Sequence, residues 1–455
     1  MLSAAISRHH RPFALLFLIV SAGQLILQLT ARAAEGIRNW WGADFSVYWM
    51  AGSRVLHGQS PYPPEQLLAP FNQDAVILVM RNVPGQVPFL YPPPFALIVS
   101  PLSTLPLEVA TWFWVVISAA AIVVGCLLAA RAGGMKLGIE NVAIGIGLLC
   151  LAYPIYDSLW KGNVEGIETL MLGIGLAASP MIGSAATGLL GILKIAPLVT
   201  WPATFARGPR NALLGFTLVG VLLLISAPWL IPGWKDFPIM MINQLQGDFA
   251  HSSDNLAPVQ IVQSLWPTID LTAVVRLACL LLSGGLVVMS VLWARRPSGW
   301  PGALLAAMAA SLLLLETVWP HYLTILAPFI FYAWPRLTAL SRRIVLVSIL
   351  GISLIEPLSG LLGRAPLIVF MFVTIILVLL FHFRPEETSQ RSSLVSLVAV
   401  GDVGSQSWGH EGRSWRTRPR GAEREGITAQ GGGVQQAATR PTRRRKRGRF
   451  PESRR

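Results

Sequence analysis

From Phe13 to Leu29 the chain runs without a single charged residue, and the pattern returns. Similar blocks, each with few or no charges, lie near residues 107–130, 139–156, 211–231, 270–293, 300–318, 344–361 and 365–383. An apolar stretch of about 18 or more residues is long enough to cross the bilayer core as a helix. Lipid offers no partners to backbone N–H and C=O groups, so such segments must bond within themselves and are helices, not strands. Composition agrees. The chain is 53% hydrophobic and only 13% charged, about half the charged share of a soluble domain. The expected fold is therefore an all-α polytopic membrane protein, a bundle of roughly ten transmembrane helices. The first block reads as an uncleaved span in preference to a signal peptide, because it is long and no small-residue cleavage site follows it cleanly.

Basic residues in short loops mark the cytoplasmic side. Placing Arg8 to Arg11, Arg131 to Lys136, Arg207 to Arg210, Arg295 and Arg296, Arg336 to Arg343 and Arg384 inside gives a consistent alternation. Residues 31–94, 157–163, 232–269, Trp319 to His321 and the turn near 356–364 then face outward. Residues 164–206 hold two apolar pieces split by Ala178-Ser179-Pro180. The arginines require one net crossing there, with a broken or partly re-entrant element. The chain divides into a membrane domain, 1–383, and a basic tail, 384–455. The tail carries 16 Lys+Arg against 7 Asp+Glu, so most of the net charge of +14 sits there. Its Gly, Ser, Arg and Gln content cannot bury a core and predicts disorder. Arg443 to Arg447 reads as a solvated run near anionic lipid, with no nucleic-acid partner. Cys126, Cys150 and Cys279 lie singly inside apolar blocks, without metal or disulfide spacing.

Costly polar residues are the functional candidates. Asp44 follows the first span among Trp40, Trp41, Phe45, Tyr48 and Trp49, and the segment from Phe45 to Leu56 has the apolar face of a helix lying along the interface. A carboxylate in a half-dry aromatic setting holds its proton more tightly and serves as a general base near neutral pH. Asp is also a favoured helix N-cap, and spacing alone does not separate the two. Asp157, Asn163, Glu165, Glu168, Lys194, Asp254, Asn255, Glu316 and His321 complete the set. Lys194 stands between apolar neighbours, where an ionisable residue is functional by default. Asp157 and Glu165 read as ordinary loop charges. No phosphate-cradling P-loop, dinucleotide fingerprint, zinc cluster or nucleophile elbow is present.

Several segments resemble glycosyltransferase family 87, of the C-type glycosyltransferases, across roughly residues 12–380. Asp44 to Trp49 resembles the family's Asp-x-x-x-Tyr segment, through Tyr48. Gly58-Gln59-Ser60-Pro61-Tyr62 resembles Gly-x-x-Pro-Tyr, and Tyr91-Pro92-Pro93 its Tyr-Pro-Pro run. Gly162-Asn163 resembles a Gly-Gln-x-Asn turn without the Gln. Lys194 to Pro197 resembles Lys-x-x-Pro, Asn255 falls near an expected loop asparagine, and Trp319-Pro320-His321-Tyr322 resembles Trp-x-His-Tyr. The resemblance implies a C-type bundle with interfacial helices in its outer loops. It implies transfer of a hexose, mannose favoured, from a polyprenyl-phosphate donor to a glycan or glycolipid hydroxyl, at an outward site of the cytoplasmic membrane. It implies Asp44 as the base and Tyr48, Arg54, Tyr62, Asn163, Lys194, Asn255 and His321 as substrate-binding residues. Lys194, His321 and Arg54 are the groups available to the leaving phosphate. No metal and no cofactor beyond the donor substrate is expected. The competing classes are a transporter or flippase of a lipid-linked or polar solute, and a glycan polymerase or ligase. A transporter usually shows paired, matching broken helices, and only one clear break is visible here.

Sidedness is testable at once. Single cysteines near positions 60 and 250 are expected to label from outside intact cells, and those near 208 and 295 are not. Strong outside labelling near 208 would overturn the single net crossing of 164–206.

Overall fold

The computed structural model describes residues 2–36, 40–67, 89–245, 255–315, 317–355 and 364–385. They belong to one compact unit, Met1–Thr388. The expected tail beyond 385, Asp254, Glu316 and the turn at 356–363 lie outside the described residues. Among the described residues the chain is helical throughout, with no strand. Five helices are long and apolar enough to cross a membrane, or six if one bent pair counts as a single span. That is fewer than the ten expected, because several apolar blocks form shorter helices. Pro180–Leu193 and Trp300–Leu313 have 14 residues each, about 21 Å of helix against a hydrocarbon core of about 30 Å.

The first span, α1 (Leu2–Glu35), packs into the body. Its Phe17 ring lies against Gly147, and Arg32 stacks over Trp160 at 4.5 Å. After it comes α2 (Ala43–Leu56), a short helix with eight buried residues, and then α3 (Pro93–Val99). Next is α4 (Leu107–Ala132), half buried and central. The bent pair follows: α5 (Ile139–Leu151) and α6 (Tyr153–Lys161), which meet at 66°.

Next come three short legs where one broken crossing was expected. The first is α7 (Glu165–Ala177). Toward its end Gly175 accepts a hydrogen bond from the Trp300 indole at 2.7 Å. The second is α8 (Pro180–Leu193), which starts beside Gly175 and returns, so that Lys194 pairs with Glu165. The third runs through a 3-10 turn, Ala196–Thr200, into α9 (Trp201–Arg207). The hydroxyls of Thr187 and Thr204 lie 3.3 Å apart along this leg, and Arg207 ends it over the Trp300 ring at 4.3 Å. Three legs make an odd number, so Glu165 at the start and Arg207 at the finish sit at opposite ends.

The remaining helices are α10 (Pro209–Leu245), α11 (Pro258–Leu265), α12 (Thr272–Ala294), α13 (Trp300–Leu313), α14 (Ala327–Ala333), α15 (Ala339–Ile355) and α16 (Arg364–Phe383). Contacts gather their basic ends. Arg336 stacks over Tyr332 at 4.8 Å, the rings of Tyr332 and Phe383 lie 5.8 Å apart, and Gly133 abuts the Tyr332 carbonyl.

Small residues set how closely α4 and α7 approach. Ser118 and Gly125 on α4, and Gly166 and Gly173 on α7, are each seven residues apart and so share a face. A Cβ on Gly166 would lie 2.9 Å from Ser118 Cα, and one on Gly173 would lie 2.6 Å from Gly125 Cα. In lipid, where no hydrophobic force drives helices together, such backbone proximity is a main source of association. Gly173→Leu is therefore expected to cost at least about 1–3 kcal/mol through overpacking. Gly220→Leu, with nothing within 4 Å of its Cβ, is expected to melt like wild type in detergent. Equal melting of the two variants would remove the glycine seam as a determinant of the fold.

Candidate active site

The cluster begins with two glycines. Gly42 precedes α2 at φ 64°, and its N–H donates to the Trp160 carbonyl at 2.8 Å. A Cβ there would lie 2.6 Å from Thr111 Cγ2. The left-handed backbone and the close approach both select glycine. The second is Gly162, at φ 71°, which ends α6. The Gly162 N–H reaches Leu159 O at 3.1 Å and the Asn163 N–H reaches Ser158 O at 2.9 Å, a Schellman ending. A Cβ on Gly162 would lie 2.7 Å from Phe45 Cβ. Together they bring the first turn of α2 against the corner between α6 and α7.

Asn163 occupies that corner. Its Oδ1 accepts the Val164 N–H at 2.6 Å, which fixes the amide orientation. Its Nδ2 then donates to Asp44 Oδ2 at 2.6 Å and meets His321 Nε2 at 2.8 Å. An amide donor requires the imidazole lone pair on Nε2, so the network assigns the ring proton to Nδ1. There it reaches Asp157 Oδ2 at 2.9 Å. Asp157 also accepts from the Trp160 indole at 2.8 Å and pairs with Lys161 at 2.9 Å. Asp157, Asn163 and His321 are buried, whereas Asp44 keeps partial access at the rim. Beside them Lys194 pairs closely with Glu165, lies 3.9 Å from Glu168 Oε1, and stands 3.9 Å from the centre of the Tyr322 ring. The Tyr48 and Tyr91 hydroxyls meet at 2.7 Å.

Burial pushes the Asp44 carboxyl above the ordinary carboxylate range. Lys161 and the Asn163 hydrogen bond oppose the shift, and Glu165 reinforces it. Burial likewise raises Tyr48 and Tyr91 well above a free phenol, so both remain hydrogen-bond donors. The arrangement is a partly accessible carboxyl of raised proton affinity at the edge of a buried, hydrogen-bonded polar cluster.

The sequence model of glycosyltransferase family 87 matches residues 89–318. The chain belongs to glycosyltransferase family 87. No curated protein and no solved structure matches it. The chain is thus a membrane glycosyltransferase of this family. The matched span is narrower than the resemblance over 12–380. It includes Asn163, Lys194 and Asn255, while Asp44, Tyr48, Arg54 and Tyr62 precede it and His321 follows just after.

In the transferase fold, Asp44, Tyr48, Asn163 and His321 come together, with Lys194 alongside. Three expected substrate-binding residues do not join them. Arg54 lies ten residues along α2 from Asp44, about 15 Å by helical rise. Its Nε donates to Ser60 O at 2.7 Å and so braces the turn before Tyr62. Tyr62 is buried between Phe89 and Phe237, one step behind the cluster, with its hydroxyl donating to the Tyr91 carbonyl at 2.7 Å. Asn255 Oδ1 accepts from the Ala257 and Val318 N–H groups at 3.0 and 2.9 Å, which pins the approach to His321. Asp44 is not the N-cap: Gly42 holds that position, no side-chain cap is present, and the carboxylate is turned to Asn163. Asp157 and Glu165 are not loop charges but fully buried helical residues. The i,i+4 spacing of Asp157 and Lys161 was the available signal for the first. Among the described residues no group of three or more His, Cys, Asp or Glu side chains is placed to hold a metal ion.

The raised pKa of Asp44 makes a prediction about stability. A carboxyl with a higher pKa folded than unfolded favours the fold below its unfolded pKa, and that contribution is lost as pH rises through the folded value. The Asp44 carboxyl therefore costs stability once pH has risen past its unfolded pKa. Asp44→Asn, which can still accept from Asn163, is expected to melt no lower than wild type at pH 7, with the difference shrinking in acid. A lower melting temperature at pH 7 would show that Asp44 serves the fold.

Proposed function

We propose that the protein transfers a hexose, mannose favoured, from a polyprenyl-phosphate donor to a hydroxyl of a glycan or glycolipid acceptor, with Asp44 as general base. The observation that carries this reading is the partly accessible Asp44 carboxylate, raised in proton affinity and oriented by the doubly engaged Asn163 amide. Asn163 holds Oδ2, and among the described residues no hydrogen bond engages Oδ1. An acceptor hydroxyl donates to Oδ1, and its oxygen attacks the anomeric carbon as the proton passes to Asp44. The bond from the anomeric carbon to the phosphate oxygen breaks, and polyprenyl phosphate leaves with the electron pair. Charge grows on that phosphate, and a cation placed there stabilises the transition state. Lys194 supplies it. His321, held by Asp157, keeps Asn163 and through it Asp44 in place. The donor is a substrate, and the reaction as written needs no cofactor.

The outward orientation of the site in the cytoplasmic membrane is part of the proposal. It is supported by the gathering of Arg131, Arg207, Arg336 and Arg384 toward the helix ends opposite the Asp44 cluster, read with the positive-inside tendency.

Asp44→Asn is expected to lower transfer about 10²- to 10⁴-fold, the usual contribution of a general base. Purified protein in liposomes with radiolabelled polyprenyl-phosphate hexoses would read it. The wild-type rate is expected to fall as pH drops through a pKa above the ordinary carboxylate range, and the Asn variant loses that limb. Near-normal transfer by Asp44→Asn would sink the assignment.

A further inference from the structure

Glu165 and Glu168 take no part in the path from Asp44 through Asn163 to His321, yet both are buried beside it. They sit three residues apart, on one face of the first turn of α7. One ammonium serves both: Lys194 pairs with Glu165 and stands 3.9 Å from Glu168 Oε1. Glu165 Oε2 and Glu168 Oε1 are buried and find no hydrogen-bond partner among the described residues. A buried carboxylate oxygen without a donor is strongly unfavourable. The pair is thus short of O–H or N–H donors, at a point two residues from the amide that holds Asp44. Tyr322, against Lys194, supplies a flat aromatic face at this point.

A ligand that fits must carry two features side by side. One is an anion able to compete with Glu165 and Glu168 for Lys194. The other is a set of neutral hydroxyl donors for the carboxylate oxygens. A glycosyl phosphate has both, joined through the anomeric carbon. We propose that Glu165 and Glu168 form the hydroxyl-recognition subsite for the donor sugar, completed when the donor phosphate draws Lys194 toward itself. This rests on the transferase reading above. It makes the two glutamates determinants of which hexose is accepted, with Lys194 moving from the empty subsite to the phosphate as the donor enters.

A double-mutant cycle between enzyme and substrate tests it. The partners are Glu165→Gln, Glu168→Gln and Glu168→Ala on one side, and the monodeoxy analogues of the polyprenyl-phosphate hexose that turns over best on the other. Each variant leaves Lys194 one carboxylate partner, and thermal melts confirm folding; the isosteric Gln variants serve if the Ala variant fails. In wild type, removal of the recognised hydroxyl is expected to lower kcat/KM about 10- to 100-fold, the scale of a hydrogen bond to a charged group. In Glu168→Ala, where the acceptor is gone, the deletion of its hydroxyl is expected to cost less than about 3-fold, and in the Gln variants, whose amide oxygen still accepts but carries no charge, the penalty is expected to fall below that of wild type. Deoxy penalties that are the same in wild type and in every variant would overturn the subsite. Donor binding by thermophoresis, with the same analogues and the Asp44→Asn background, reads the subsite without turnover. Failure of wild type to turn over any polyprenyl-phosphate hexose would instead count against the transferase reading, and the binding cycle would still decide the subsite.

Discussion

One amide holds the site together. Asn163 uses its oxygen on the neighbouring Val164 N–H and spends its two N–H bonds on Asp44 and His321. A hydroxyl would have one proton to give and a carboxylate none, so only a primary amide can accept locally and donate twice outward. The direction of each bond fixes the next. Because Asn163 donates to Nε2, His321 must donate from Nδ1, and only an acceptor can stand there; Asp157 does. Because Asp44 receives an N–H, its carboxylate is held as an acceptor and points at the rim. Gly162 makes the amide's position available, since a side chain there would collide with Phe45.

Charge balance is the second constraint. Asp44, Asp157, Glu165 and Glu168 crowd into a region where isolated charges are expensive. Lys161 meets Asp157, and Lys194 meets the two glutamates. Acids exceed bases, and burial is the leading influence on Asp44. The excess suits a reaction in which a proton arrives at a carboxylate, since uptake lowers local repulsion. It also explains why the cluster is sheathed in tyrosines and tryptophans, which bring donors without adding charge.

The sequence exposed the bundle more fully than the site. Long apolar blocks such as 107–130 and 365–383 emerge as helices, because in lipid the backbone has no alternative. The one net crossing expected of 164–206 is built as three short legs, which nothing in the apolar runs revealed. Asp44, Asn163, Lys194 and His321 stood out because polar residues near apolar blocks are costly. Glu165 did not, because a charge at the end of a short helix looks the same in sequence whether solvent or a lysine faces it, and for Asp157 only the i,i+4 spacing to Lys161 gave a signal. Arg54 and Tyr62 lie apart from the cluster for the converse reason. A motif places residues in one turn, but only packing decides which of them faces the cluster, and here both brace the turn.

The three short legs also set the depth of the site. The Trp114 indole donates to the Asn163 carbonyl at 3.3 Å, and Gly166 lies against Ser118. By helical rise these contacts fall about 10–16 Å along α4 from its start at Leu107. A corner of backbone at such a depth is tolerable only when enclosed by protein. That enclosure is what α2, α3 and the turn at Ser100–Thr104 provide, with Gly52 pressed against Ser100 and Ser103. Polar residues can therefore sit below the end of a spanning helix without meeting lipid.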